Sequence, residues 1–451
     1  MKKLTKQILL DTISKITFYK ISRFLLAVFL VVFPFQVRSL IYNEPIYLTG
    51  NFNHYASFFV YFADLLLIGS FLAWGLSFIY GEREEEEIDM GYLPLTGLLA
   101  IFLVLIMGSI YFAEAKVLGL FMSFRFIELF LLYVLIVNGV LSRFEVIRYF
   151  LIGIAGQSVL AVWQYMKQSS LGLHFLGEPH IGSEVPGVAK VDFNGDKIVR
   201  SYGTFLHPNI LAGVILIALF WANYYLKKYL WWLVTIMVIL LMALLLTFSR
   251  TAFLALGGAL LVYYSMMNKR LPVKMVLLWV SIAVFIVVAF NLEGIVVERF
   301  LMGNDPEATS SRLEYVDIGK DMFIEHPMGV GPGGFTLMMQ EYTYQKLKPW
   351  EMQPVHNVYM LIYNENGFLA GTLFIFIIGF IFLMLAKVIR PLRGDEKQFA
   401  LIMAGILSAM MIVFLFDHYF FTIYQGQVML FVYFALVSSL LNSSLLPRKK
   451  S

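Results

Sequence analysis

Hydrophobic residues in this chain come in long unbroken runs, and the polar residues gather in the gaps between them. A helix that crosses a bilayer needs roughly 20 consecutive, mostly apolar residues. On that rule the runs predict spans near 22–42, 55–80, 92–113, 120–141, 148–167, 209–226, 229–248, 251–267, 274–291, 358–387, 398–416 and 419–441, about twelve in all. The expected fold is an all-α integral membrane protein, with residues 1–451 forming one polytopic membrane domain. Two long polar gaps interrupt it: a smaller loop over 168–208, and a larger one over 292–357, between the ninth and tenth spans. In the first, Asn194-Gly195 predicts a hairpin turn between short strands. In the second, Ser311 followed by Glu314 predicts a capped helix that ends at His326-Pro327 and holds Arg312 in its first turn.

Composition agrees with the pattern. The chain is 60% hydrophobic and 14% charged, with a mean hydropathy of +0.77, whereas soluble domains carry roughly 25% charged residues. There are no cysteines, which excludes disulfides, thiolate metal ligands and a cysteine nucleophile. No basic patch interleaved with aromatics points to nucleic acid. Lysine and arginine decide the orientation. Arg143 and Arg148, Lys227 and Lys228, Lys269 and Arg270, Arg390 and Arg393, and the basic tail all fall on the side of the N-terminus. Both termini are therefore expected in the cytoplasm, the first span uncleaved, and both long loops outside. The acidic run in GEREEEEIDM, residues 81–90, reads as a solvated loop on the inner side.

The charges that fall in or beside the apolar runs are the candidates for chemistry, because an ionised group at mid-bilayer costs about 3 kcal/mol or more. Asp64 lies in the second expected span; Arg125 and Glu128, at i and i+3 in the fourth, neutralise each other or find a partner in the bundle. Arg250, in LLLTFSRTAFLALG, sits in a tight turn near the outer interface. It either snorkels to lipid phosphate or clamps a diphosphate through its planar guanidinium. Arg312, at a helix N-terminus, opposes the helix dipole, so it is a surface residue or part of an anion site. His356, where the larger loop re-enters the membrane, is a structural hydrogen-bonder or a general base. Arg200 and His207, in VRSYGTFLHPNILAG, lie at the start of the sixth span, where a capping role competes with a binding one. Glu365 is a lone carboxyl in an apolar run. Asp417-His418 form a short outer turn within reach of the site, with no role assigned. GVGPGGF, residues 329–335, lacks the Lys-Ser/Thr of a phosphate-binding loop and reads as a tight turn. No residue spacing indicates a metal site.

Four stretches, in order, carry a family resemblance: YGTFLHPNILAG, LLTFSRTAFLALG, SSRLEYVDIGKDMFIEHPMGVGPGGF and HNVYMLIYNENGFLAG. Over roughly residues 200–371 the chain resembles the O-antigen ligases and O-antigen polymerases, bacterial membrane glycosyltransferases. The first half resembles that family only in hydropathy. The resemblance implies a glycan donor carried on undecaprenyl diphosphate, a lipid or glycan acceptor, and transfer without a metal, cofactor or nucleotide sugar. It places the diphosphate contacts on Arg250 and Arg312 and the acceptor chemistry on His356. Arg200 and His207 match a family motif as possible substrate-binding residues. The implied location is the bacterial cytoplasmic membrane, with the site on its outer face. A protein O-oligosaccharyltransferase is a third member type. Outside the family, a twelve-span transporter or lipid-linked glycan flippase would place Asp64, Arg125 and Glu128 at its centre instead.

Overall fold

The computed structural model describes residues 17–43, 53–82, 87–267, 293–297, 306–348 and 351–445. Its first elements are helix α1 (Phe18–Val32), strands β1 (Arg38–Asn43) and β2 (Ser57–Tyr61), and helices α2 (Phe62–Ile79), α3 (Leu93–Ser109), α4 (Lys116–Val137) and α5 (Arg143–Lys167). Strands β3 (Lys190–Phe193) and β4 (Asp196–Val199) precede helices α6 (Pro208–Tyr225), α7 (Leu230–Leu246) and α8 (Arg250–Met267). Short α9 (Glu293–Val297), α10 (Pro306–Glu325) and α11 (Gly334–Met338) follow. The chain closes with α12 (Val358–Ile389), α13 (Gly394–Phe416), α14 (Tyr419–Thr422) and α15 (Tyr424–Leu445).

Among the described residues, nine helices are long and apolar enough to cross a membrane: α2 to α6, α8, α12, α13 and α15. Helices α1 and α7 have 15 and 17 residues. At 1.5 Å per residue they reach about 22 and about 26 Å, short of a hydrocarbon core of about 30 Å. The expected span at 274–291 lies outside the described residues.

Burial sorts the bundle. In α6, α13 and α15, 89%, 78% and 72% of the apolar window is buried, against 17% in α8. The first three are the centre, and α8, which packs on α13 and α6, is the least buried of the nine. Without a hydrophobic drive between helices in lipid, close packing at small residues holds such contacts. At the α8–α13 contact, a Cβ on Gly258 would lie 2.3 Å from the Ile412 side chain.

Three expectations are corrected. The first expected span, 22–42, ends early: α1 stops at Val32, and Arg38–Asn43 pairs antiparallel with Ser57–Tyr61, from Arg38 opposite Tyr61 to Asn43 opposite Ser57. The second, expected from 55, begins as that strand, so α2 starts at Phe62. A run of apolar residues does not distinguish strand from helix, but the alternating burial of Ser57–Tyr61 does. Asp64 therefore sits in the first turn of α2, where it accepts from the Tyr61 N–H at 2.8 Å, and not deep in a span. Third, the helix in the larger polar segment begins at Pro306, so Arg312 is its seventh residue and Ser311 is no cap. Proline is well suited to the first helical position, where its missing N–H has no helical partner to lose. The predicted hairpin is present: Lys190–Phe193 pairs with Asp196–Val199, and Asn194 and Gly195 both take positive φ, 51° and 88°.

A break in α12 shapes the site. Gly367 has φ 81° and ψ 177°, so the helix kinks and leaves carbonyls without their usual partners. The glycine-rich segment fills the gap. Val330 N–H donates to the Asn364 carbonyl and Gly331 N–H to the Glu365 carbonyl, both at 2.8 Å, while Phe368 N–H donates to the Pro327 carbonyl at 2.9 Å. A Cβ at Gly329 would come within 2.6 Å of the Glu365 carbonyl oxygen and of the Gly367 nitrogen. GVGPGGF is thus a turn docked into a broken helix.

Candidate functional site

One end of the bundle gathers three histidines. His207 caps α6, its Nδ1 accepting from the Asn209 N–H at 3.2 Å. Asp417 and His418 form the turn after α13, and His356 precedes α12, whose N-cap is Asn357 accepting from the Met360 N–H at 2.9 Å. The rings of His356 and His418 lie edge to face with centroids 5.1 Å apart, and the Tyr315 ring of α10 stacks on His356 at 6.0 Å. Tyr315 is held by donating its hydroxyl to the Glu351 carbonyl at 2.5 Å. His418 is fixed by Thr422, 2.7 Å from its Nδ1, and by Tyr55, whose ring stands 5.4 Å away.

Asp417 ties the layer together. Asn209 Nδ2 donates to its Oδ2 at 3.1 Å, and the His418 N–H donates to its Oδ1 at 2.9 Å. Asn209 Oδ1 in turn accepts from Arg200 Nη2 at 2.7 Å, and Arg200 Nε donates to the Thr247 carbonyl at 2.6 Å. Thr247 opens the three-residue turn between α7 and α8. In that turn Phe248 takes a left-handed φ of 47° with its side chain fully buried. Such a backbone costs about 1–2 kcal/mol for a non-glycine residue, which the burial of a phenyl ring offsets. The chain from Asp417 through Asn209 and Arg200 thus reaches the turn from which Arg250 emerges.

The electrostatics follow from this packing. Burial pushes the His207 and His418 imidazoles down to about 3, with Arg200 adding to the effect on His207, and His356 and Arg312 adding to it on His418. His356 is also lowered, by burial first and then by Arg312, with Asp417 acting against them. Burial alone would raise the Asp417 carboxyl. His418, His356, His207 and Arg312 outweigh it and hold Asp417 below the usual carboxylate range. At neutral pH the three imidazoles are uncharged bases beside one carboxylate and one guanidinium. The His356 Nδ1 is buried with no hydrogen-bond partner among the described residues.

Arg312, on α10, acts on all four of these groups, and among the described residues it pairs with no carboxylate. Arg250 is exposed at the first residue of α8, at the same end of the bundle. Arg200 is 5% exposed and serves as the strut just described. Asp417 and His418 are the residues that sequence reasoning left without a role. Their signal was a carboxylate and an imidazole side by side at the end of an apolar run. Among the described residues no group of three or more His, Cys, Asp or Glu side chains is arranged to hold a metal ion.

The fold and site together define a multi-pass membrane protein that presents a neutral histidine beside an arginine with no carboxylate pair among the described residues, at one end of its bundle. Residues 235–375 match the family model described as O-antigen ligase, so that stretch of the chain is similar to the O-antigen ligase family. The match includes Arg250, Arg312 and His356. No curated protein matches the chain.

Proposed function

We propose that the chain moves a glycan from undecaprenyl diphosphate to an acceptor hydroxyl, as an O-antigen ligase or polysaccharide polymerase does, at the outer face of the bacterial cytoplasmic membrane. The observation that carries this reading is Arg312 near His356 with no salt-bridge partner among the described residues, and with Asp417 and His418 close to the imidazole. An unpaired guanidinium beside a neutral base suits an anionic leaving group and a nucleophile that must lose a proton.

In this mechanism Arg250 and Arg312 bind the donor diphosphate, for which the planar guanidinium fork is suited. The acceptor hydroxyl attacks the anomeric carbon of the donor glycan. The new oxygen–carbon bond forms as the bond from that carbon to the diphosphate oxygen breaks, and the carbon inverts. The hydroxyl proton passes to His356, whose buried Nδ1 leaves Nε2 as the nitrogen for the acceptor. The electron pair of the broken bond stays on undecaprenyl diphosphate, where the two arginines stabilise the growing charge. Asp417, close enough to act on His356, stabilises the imidazolium that forms. The leaving group is already a good one, so the paired carboxylates of glycoside hydrolases are not required.

The test is a surface-glycan gel on cells carrying His356→Ala or wild-type protein at equal expression, with lipid-linked glycan extracted in parallel. Loss of anchored glycan with long lipid-linked chains accumulating identifies a ligase. Anchored glycan shortened to one repeat identifies a polymerase. Unchanged patterns in both fractions refute the proposal.

A further inference from the structure

A second polar site adjoins the first and takes no part in the reaction above. Arg125 of α4 is 5% exposed and lies 2.6 Å from a carboxylate oxygen of Asp64 and 2.6 Å from one of Glu128. Its Nη2 donates to the Phe59 carbonyl at 2.7 Å. Arg125 borders a cavity of about 60 Å³ whose apolar walls are largely aromatic, among them Phe58, Phe59, Phe126 and Phe421. Polar side chains line it too, His54, Tyr424 and Gln427 among them, and two others matter most here. The Glu365 carboxyl, beside the break in α12, is held by the backbone N–H groups of Gly333 and Phe335. The Thr336 hydroxyl, on a residue 1% exposed, has no hydrogen-bond partner among the described residues. A buried, unpartnered hydroxyl is costly unless something else comes to meet it.

The cavity shares a wall with the histidine layer. Tyr55 and Thr422 line it and both touch His418, and Pro354 brings it within two residues of His356. Neither α8 nor α10, which carry Arg250 and Arg312, contributes to its lining. It therefore lies on the acceptor side of the site.

Charge decides the ligand class. Asp64 and Glu128 already neutralise Arg125, and Glu365 is a third carboxyl, so a phosphate would meet an excess of carboxyls. An alkyl chain would leave the Thr336 hydroxyl without a partner and meet the Glu365 carboxyl with nothing polar. A neutral ligand bearing hydroxyls satisfies both groups and lays its C–H faces on the aromatic walls. The volume admits an edge of a sugar ring, about two waters' worth of space, and not a whole ring. Resting on the transferase reading above, we propose that this cavity is a specificity subsite. It takes the hydroxyl-bearing edge of the acceptor sugar, bonds it through Thr336 and Glu365, and so presents the reacting hydroxyl to His356.

The test uses the full chain in nanodiscs, supplied with native lipid-linked glycan and native acceptor membranes. Octyl glycosides of glucose, galactose, mannose and N-acetylglucosamine are added as competitors. At least one competes with the acceptor and not with the donor. Thr336→Val, which keeps the shape and removes the hydroxyl, weakens that competitor about 10-fold. It also raises the acceptor KM and leaves the donor KM unchanged, and Glu365→Gln acts in the same direction. The inference is overturned if none of the four glycosides competes. It is equally overturned if Thr336→Val leaves competition unchanged, or if the donor KM moves instead. His356→Ala separates the two readings: it abolishes transfer while the competitor still raises the thermal stability of the protein. Transfer that survived His356→Ala would refute the mechanism and leave the subsite standing.

Discussion

At the end of the bundle where α4 meets α5 and α12 meets α13, cations meet carboxylates. Arg143 donates to both Glu396 oxygens, at 2.5 and 2.6 Å, Lys227 pairs with Asp395, and Arg23 lies 2.6 Å from Glu145. These groups are partly exposed, and opposite charges face each other. At the other end three imidazoles share one carboxylate, and Arg312 has no carboxylate of its own among the described residues. The first arrangement lowers the energy of the protein as it stands. On the proposed reading, the second is completed by the donor diphosphate. Both ends are rich in ionisable groups and Arg125, beside the histidine layer, is itself paired with Asp64 and Glu128, so charge content alone would not tell the ends apart; the contrast lies between Arg143 and Arg312.

The largest break in this contrast is His356→Ala. General-base catalysis contributes typically 10²–10⁴-fold, so transfer falls by about that factor while the helix start, capped by Asn357, remains. Transfer assayed on purified protein of unchanged melting temperature checks this. Arg312→Gln comes next. Losing one group that stabilises leaving-group charge costs about 10²–10³-fold, and no protein ion pair among the described residues is broken, so stability holds. Arg250→Lys tests the partner guanidinium, since a lysine keeps the charge and loses the bidentate fork.

Much of this contrast was legible in the sequence. Arg250, Arg312 and His356 stood out as charges beside apolar runs, and Asn194-Gly195 announced its hairpin. Segment counting, however, could not see that Arg38–Asn43 and Ser57–Tyr61 pair as strands, because apolar runs of that length fit either structure. Nor could it see which polar groups converge. Asp417 reaches Asn209 across 208 positions of sequence, and Arg125 meets Asp64 from a different helix. Convergence of that kind is set by helix packing, which leaves no local pattern. Arg312 shows a third limit. The S-x-x-E pattern at Ser311 is a capping signal only where a helix begins, and Pro306 starts this one earlier.

A smaller effect sharpens the comparison through pH. Base catalysis requires neutral His356, so its depressed pKa keeps transfer constant below the ordinary histidine range and brings the acid limb to lower pH. Arg312 is one of the causes of that depression and Asp417 opposes it. The acid limb therefore moves up in Arg312→Gln, read on its residual activity, and down in Asp417→Asn. Stability follows the same logic. His207 and His418 titrate near 3 in the folded chain and near 6.5 when unfolded. Between those values the unfolded state binds protons that the folded state does not. Stability is thus fully present above 6.5 and is lost as pH falls toward 3. Melting temperature drops on acidification from pH 7 to 5, and His418→Gln flattens the drop.

The smallest effect belongs to the opposite end. Arg143 and Glu396 are partly exposed, with side-chain exposures of 24% and 43%, and exposed pairs contribute about 0–1 kcal/mol once solvent screening is counted. Arg143 also lies over the Phe399 ring at 4.9 Å, and the glutamine of Arg143→Gln gives up that contact as well. The expected outcome is a destabilisation near 1 kcal/mol that shrinks in high salt, with transfer unchanged. A near-neutral result is informative because Arg143 has more charged partners than Arg312 does. If contact number measured importance, Arg143→Gln would be the more damaging of the two. If function resides in charges left unpaired by the fold, the order is reversed, and comparing transfer by the two variants at matched expression decides between them.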